Sequence, residues 1–382
     1  MNDIFVGCAL SDVNRADVPT GLRVPERLAD YARRFRERVG AADFCFELQP
    51  EDAWTLPAAF PDRFVERKTN RWWRAFRQNT AQLDLFRSSS APVGVHQPIQ
   101  GRNVLSSNYF LKYEAIAETH QAMALAEFIG ASYFVFHLAM ADAWDWDRRD
   151  QLAKALKIFR AFEAFYHASS FSFVPCIELL EYPKFPATGG EALEILLRCR
   201  EIWPETRLIF DVSHLWSSRR RMMAAGRWES RDGRPVGFLD TLEYALEQTW
   251  NDIYLFHLGG CWESETHAVP GLHPQQDPFR YEMKLRESAG VYAEAGEMDL
   301  NRALDLVLHY TVRKEIPLRL MLQIFDRDVD QVFEAARVIR AELLARAADQ
   351  PRAIESPKKP RARKSVDGRS RPRQRKAKPA AG

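Results

Sequence analysis

Long hydrophobic runs are missing from this 382-residue chain: none approaches the roughly 20 apolar residues that a helix needs to cross a bilayer. Its first residues, Met1 to Asp3 and then Ile4 to Leu10, lack the basic region, the long apolar stretch and the cleavage site of a secretory leader, so the expected location is the cytoplasm. Cysteine is scarce. Cys8, Cys45, Cys176, Cys199 and Cys261 are odd in number and never spaced as Cys-x-x-Cys, which argues against a disulfide framework and against a thiolate zinc site. They are expected to be small buried apolar residues. Large apolar side chains are nearly absent from Pro351 onward, and a stretch rich in Lys, Arg, Pro, Ser and Ala cannot bury enough surface to order itself. That stretch holds twelve Lys or Arg against Glu355 and Asp367, so the formal charge of +2 divides into a tail of +10 and a body, residues 1–350, of −8. An acidic body has no general attraction for nucleic acid and leaves the tail as the element able to meet nucleic acid or another acidic partner.

The body, by contrast, is rich in what a large core needs. Hydrophobic residues make up 46% of the chain, and apolar runs of strand length alternate with longer segments patterned at helical spacing. Strands are expected at Ile4 to Leu10, Phe44 to Leu48, Val93 to His96, Tyr133 to Leu138, Phe173 to Leu179, Leu208 to Val212, Ile253 to Leu258 and Leu318 to Phe325. Helices are expected at about Pro25 to Val39, Asp62 to Gln78, Asn108 to Ile129, Arg148 to His167, Glu191 to Ile202, Phe238 to Gln248, Leu300 to Arg313 and Val329 to Ala347. Gly40 and Gly130 stand where left-handed residues end helices. Eight strands, each followed by a helix, is the arithmetic of a closed (β/α)8 TIM barrel over residues 1–350, followed by a disordered basic tail over 351–382. Two stretches interrupt the pattern. Gly259 to Glu297, after the seventh strand, shows no clear periodicity and carries Glu265, His267 and His273; so long a connection is usually a lid or a binding loop. Ser213 to Gly237, after the sixth, reads as a second insertion and holds the basic run Arg219, Arg220 and Arg221.

Chemistry in such a barrel is done at the carboxyl ends of the strands. The third strand ends in His96, the fourth in His137 and the fifth in Glu178. Asp211 and, three residues later, His214 follow from the sixth, His257 from the seventh and Gln323 from the eighth. A lone histidine at a strand end is more often a hydrogen-bonded core residue than a ligand, and Asp211 could merely cap the next helix. Six successive strands delivering such groups to one rim is another matter, and it points to a bound divalent cation. Imidazole nitrogen with carboxylate oxygen suits zinc, manganese, iron or cobalt. Trp216 and Trp262 follow metal-bearing strands closely enough to wall a pocket for a sugar face or a ring, and Glu297 joins them as a candidate substrate contact. His120, His167 and His309 fall within helical segments and are assigned to surface or packing roles.

Taken in order, these residues resemble the xylose isomerase-like barrels, the superfamily that also contains endonuclease IV-type repair enzymes, over residues 4–345. In the sugar epimerases of that group one metal is held by Glu, Asp, His and Glu on the fifth to eighth strands. The corresponding residues here are Glu178, Asp211, His257 and Gln323, so the last departs from the pattern. The endonuclease IV branch adds histidines matching His96, His137 and His214, and an Asp-x-His matched by Glu265-Thr266-His267. The resemblance therefore implies one to three divalent ions per chain and two reactions. One is isomerisation, epimerisation or a related lyase step on a small sugar-like or carbonyl substrate, with Glu178, His214 or Glu265 as base. Glutamine has no basic carboxylate, so Gln323 cannot be the second base. The other is phosphoester hydrolysis over several metals. A non-catalytic barrel subunit working with a partner is the third alternative. Removing residues 351–382 should leave the melting temperature of the remaining chain unchanged; a large drop on calorimetry would show that the tail belongs to the folded body.

Overall fold

Along each apolar run the side chains alternate between two kinds of surroundings, and that alternation is what builds the molecule. A computed structural model of the protein describes residues 4–11, 24–40, 45–50, 68–78, 80–83, 91–98, 104–138, 148–182, 184–224, 226, 237–259, 261–262, 284–285, 300–313, 316–324 and 329–349. In chain order these form β1 (Ile4–Ser11), α1 (Val24–Val39), β2 (Phe46–Gln49), α2 (Lys68–Gln78), β3 (Val93–His96), α3 (Tyr109–Ile129), β4 (Tyr133–Phe136), α4 (Arg148–Ala168), β5 (Val174–Glu178), α5 (Gly189–Arg200), β6 (Arg207–Asp211), α6 (Val212–Ala224), α7 (Phe238–Thr249), β7 (Ile253–Leu258), β8 (Cys261–Trp262), β9 (Lys284–Leu285), α8 (Leu300–Arg313), β10 (Leu318–Leu322) and α9 (Val329–Asp349). Eight of the strands run parallel and close on themselves in the order β1-β10-β7-β6-β5-β4-β3-β2, a (β/α)8 barrel as expected. No described helix is long and apolar enough to cross a membrane.

The residues that face outward from the strands meet the helices in the main apolar core, where Phe136, Phe159, Phe162 and Trp203 pack ring against ring with Phe136 at its centre. Inward-facing residues make a second, smaller cluster of Cys45, Tyr133, Val135, Cys176, Ile209, Leu255 and Met321. All are 0–1% exposed. A strand returns to the same face every second residue. The next inward position along each strand is therefore Glu47, His137, Glu178, Asp211, His257 or Gln323, with His96 two residues beyond Gly94. An apolar plug thus carries a polar ring on its carboxyl-end side.

Helix ends follow local chemistry. Asn108 caps α3 by accepting from the backbone of Phe110 and Leu111, and Gly40 and Gly130 close their helices at φ 65° and 73°, where an L side chain would be strained. One expectation needs correction. Ser213 to Gly237 is not simply an insertion: Asp211, the last residue of β6, accepts from the backbone N–H of His214 at 2.7 Å, so α6 begins at once. Arg219, in the basic run, is 6% exposed within that helix. In the connection after β7, β8 pairs antiparallel with β9, a pairing that leaves no periodic signature over two residues each. The rest of that connection, like the tail, lies outside the described residues.

Gly94 is required by what crosses it. A Cβ there would stand 2.1 Å from Cζ of the Tyr133 ring, which fills the barrel beside β3. Gly94→Ala should therefore destabilise the protein by about 1–3 kcal/mol in urea unfolding, since neither the closed sheet nor a fully buried ring can give way cheaply; a change within about 0.5 kcal/mol would show that Tyr133 moves freely.

Candidate metal centre

Burying one carboxylate in a barrel is costly unless cationic or hydrogen-bonding groups surround it, and Glu178 is surrounded. Its Oε2 lies 2.6 Å from His137 Nε2 and 3.1 Å from His96 Nε2. Oε1 lies 2.9 Å from His257 Nδ1 and 3.4 Å from His214 Nδ1. The two oxygens thus divide four histidines from β3, the end of β4, α6 and β7 between them. Asp211 stands on the second side, its Oδ2 3.3 Å from His214 Nδ1 and 3.9 Å from His257 Nδ1 while Oδ1 caps α6. Gln323 completes that side with Nε2 2.9 Å from His257 Nδ1.

The remaining contacts fix the rings. His96 Nδ1 lies 2.7 Å from the Gln97 carbonyl. Gln97 in turn accepts from the His137 backbone at 2.9 Å and donates to Thr119, so β3, β4 and α3 are tied together behind the two imidazoles. His214 Nε2 faces Glu181 Oε2 at 3.1 Å, and Glu181 is ion-paired with Lys184. These three are the more open members, 12–16% exposed against 0–3% for the side chains of His96, His137, Glu178, Asp211 and His257.

The electrostatics follow from burial set against charge. Burial would raise Glu178, but His137 and His257 outweigh it and hold the carboxyl well below the ordinary range. Burial pushes Asp211 up to about 6, with His214 pulling the other way. For His214, burial is more than offset by Asp211 and Glu181, which hold it at about 9. His257 is likewise held well above its ordinary value, against burial, by Glu47 and Glu178. His96 is raised by Glu178 against burial, whereas His137 is pushed down to about 4 by burial.

This donor set fits a divalent cation. His96, His137 and Glu178 form one triad, and Glu178, Asp211 and His257 another; within each the ligand-type atoms all lie within 4.8 Å of one another, and every residue is buried. Nitrogen and carboxylate oxygen are mixed, and no thiolate joins either triad, which matches the preferences of zinc, manganese, iron or cobalt.

Of the residues expected from sequence, His96, His137, Glu178, Asp211, His214, His257 and Gln323 converge on one centre. Glu265, His267 and Glu297 lie outside the described residues, as does the side chain of Trp262. Trp216 is 3% exposed and packs into the outer core, where α6 turns that face of the helix inward. One member was missed. Glu47, from β2, lies fully buried with Oε2 3.0 Å from His257 Nε2. A charged residue inside the apolar run Phe44 to Leu48 was the available signal.

No protein-family profile matches the chain, and no curated protein does. Solved structures do. An L-ribulose 3-epimerase superposes with a TM-score of 0.52 at 14% identity, over 90% of this chain and 96% of the other. Endonuclease IV from Thermus thermophilus gives 0.50 at 15%, over 89% and 99%. The shared feature is the closed (β/α)8 barrel. A third example, 3-keto-D-glucoside 4-epimerase from E. coli, gives 0.50 at 9% identity, over 91% and 100%. Epimerases and an endonuclease thus share one barrel frame with this chain, and identities this low speak for the frame alone.

Metal entry into this centre would displace protons, because ligand nitrogens have to be deprotonated and His96 and His257, members of the two donor triads, are held above their ordinary range. Calorimetric titration of the metal-free protein with Zn2+ in buffers of differing ionisation enthalpy should show proton release at pH 7 and an affinity that rises between pH 6 and 8. A flat affinity with no release would remove these histidines from the ligand set. In the metal-free protein the stabilisation from His214 is complete below its ordinary pKa of 6.5 and is lost as pH climbs through about 9.

Proposed function

We propose that the chain is a metal-dependent hydrolase of phosphoric esters whose two-metal centre is bridged by Glu178. The observation that carries this is the division of the Glu178 carboxylate, one oxygen toward His96 and His137 and the other toward His257 and His214. Two donor triads sharing one carboxylate are what a bridged pair of ions requires. When bound, the ions supply Lewis acidity that offsets charge on the phosphate oxygens.

The residues left over suit the proton movements of ester hydrolysis. His214 and Glu181 stand together at the more open edge, 3.1 Å apart. Glu181 is the carboxylate placed to take a proton from the attacking water, and protonated His214 is the group placed to return one to the departing alcohol. A small phosphoester fits better than duplex DNA, because the body carries −8 and only the tail, at +10, offers charge to a polyanion.

A second reading, isomerisation or epimerisation of a small sugar, draws support from the epimerases that share the frame. It asks for two bases facing each other across the substrate. Gln323 offers none, and Glu178, held well below the ordinary range, is a weak one, so the reaction would depend on Glu181 or His214 alone.

Metal analysis of the purified full-length protein beside His96→Ala separates the two. Hydrolysis predicts at least two equivalents of metal, loss of one in the variant, and turnover of bis(p-nitrophenyl) phosphate that falls by about 100-fold or more in Glu178→Ala. A single equivalent untouched by His96→Ala, together with interconversion of ketose epimers, would overturn the hydrolase in favour of the epimerase. Metal bound without turnover of either substrate class would mark a non-catalytic subunit.

A further inference from the structure

Glu47 is the third carboxylate at the centre, and it comes from the side of the barrel opposite the others. β2 and β7 are not neighbours in the sheet, so the 3.0 Å contact between Glu47 Oε2 and His257 Nε2 spans the interior. Both side chains are 0% exposed, so neither can exchange its partner for water. The other Glu47 oxygen accepts from Gln49 Nε2 at 3.3 Å, which steadies the carboxylate from its own strand. On the far edge of the imidazole, Nδ1 faces Glu178 Oε1 at 2.9 Å and Asp211 Oδ2 at 3.9 Å, the members of one donor triad.

An imidazole has two nitrogens on opposite edges, and only one can face a cation. We infer that Glu47 is the positioning residue of His257: by accepting a hydrogen bond from Nε2–H across the barrel it holds the ring so that Nδ1 is the nitrogen presented to the metal. A carboxylate behind a ligand histidine also strengthens the donor nitrogen. That role has particular weight here, because the eighth-strand position beside Nδ1 is the neutral Gln323. Negative charge that this strand does not supply directly reaches the same side of the centre through the ring. The inference rests on the cluster holding a cation, as proposed above, and is indifferent to whether hydrolysis or epimerisation follows.

Glu47→Gln keeps the shape and removes the charge, so a packing role alone would leave metal binding as it was. Titration of the full-length metal-free variant with Zn2+, with its fold checked by circular dichroism, should show affinity reduced by about 10–100-fold. Nitrogen-15 NMR of the native protein, labelled at histidine and loaded with Zn2+, needs no variant and should show His257 metal-bound at Nδ1 with a retained proton at Nε2. Metal on Nε2, or an affinity in Glu47→Gln within twofold of native, overturns the inference and leaves the two-metal centre standing. Failure of the native protein to bind Zn2+ even at millimolar concentration overturns both.

Discussion

Everything at the centre depends on keeping one negative charge inside a barrel. Glu178 is fully buried, and in water its carboxylate would be solvated far more cheaply than among the apolar residues two positions below it. What makes its burial tolerable is the convergence of four imidazoles from different elements, three of them, His96, His214 and His257, in turn held by a backbone carbonyl or a second carboxylate. A cation would serve the same balance more completely, which is why the cluster reads as a binding centre rather than as a structural ion-pair network. Removing any one imidazole leaves the others facing an under-compensated charge, so the residues behave as a set.

Placement of that set follows from a two-residue period. Along six strands the polar residue comes two positions after an apolar one that plugs the barrel: Cys45 then Glu47, Val135 then His137, Cys176 then Glu178, Ile209 then Asp211, Leu255 then His257, Met321 then Gln323. Strand register does the rest, setting Asp211 beside His257 and His257 beside Met321 in the parallel ladder. No loop has to fold in an unusual way to assemble the described centre, because the regular sheet does it.

Such regularity is why most of the fold could be read from the sequence. Runs buried on both faces, such as Tyr133 to Phe136 and Ile253 to Leu258, are visible as unbroken apolar stretches, and polar residues at their ends stand out against them. Glu47 escaped because its strand is short and its functional partner, His257, lies 210 residues away, a relation that only ring closure creates. The start of α6 escaped for the opposite reason. Asp211 carries two duties at once, capping the helix and facing the histidines, which the sequence offers only as alternatives. Trp216 packs into the outer core, a placement that proximity in sequence to a metal-bearing strand leaves open.

The apolar plug beneath the polar ring has a kinetic consequence. Among the described residues, Cys45, Tyr133, Val135, Cys176, Ile209, Leu255 and Met321 fill the barrel with no exposure above 1%, closing it beneath the polar ring. If the centre holds ions and turns over a substrate as proposed, ions, reactant and product would share the carboxyl-end mouth, and metal bound first would be covered by whatever then occupies it. A chelator and a substrate would compete for that passage even though they bind different partners, and turnover itself would govern how long the metal stays.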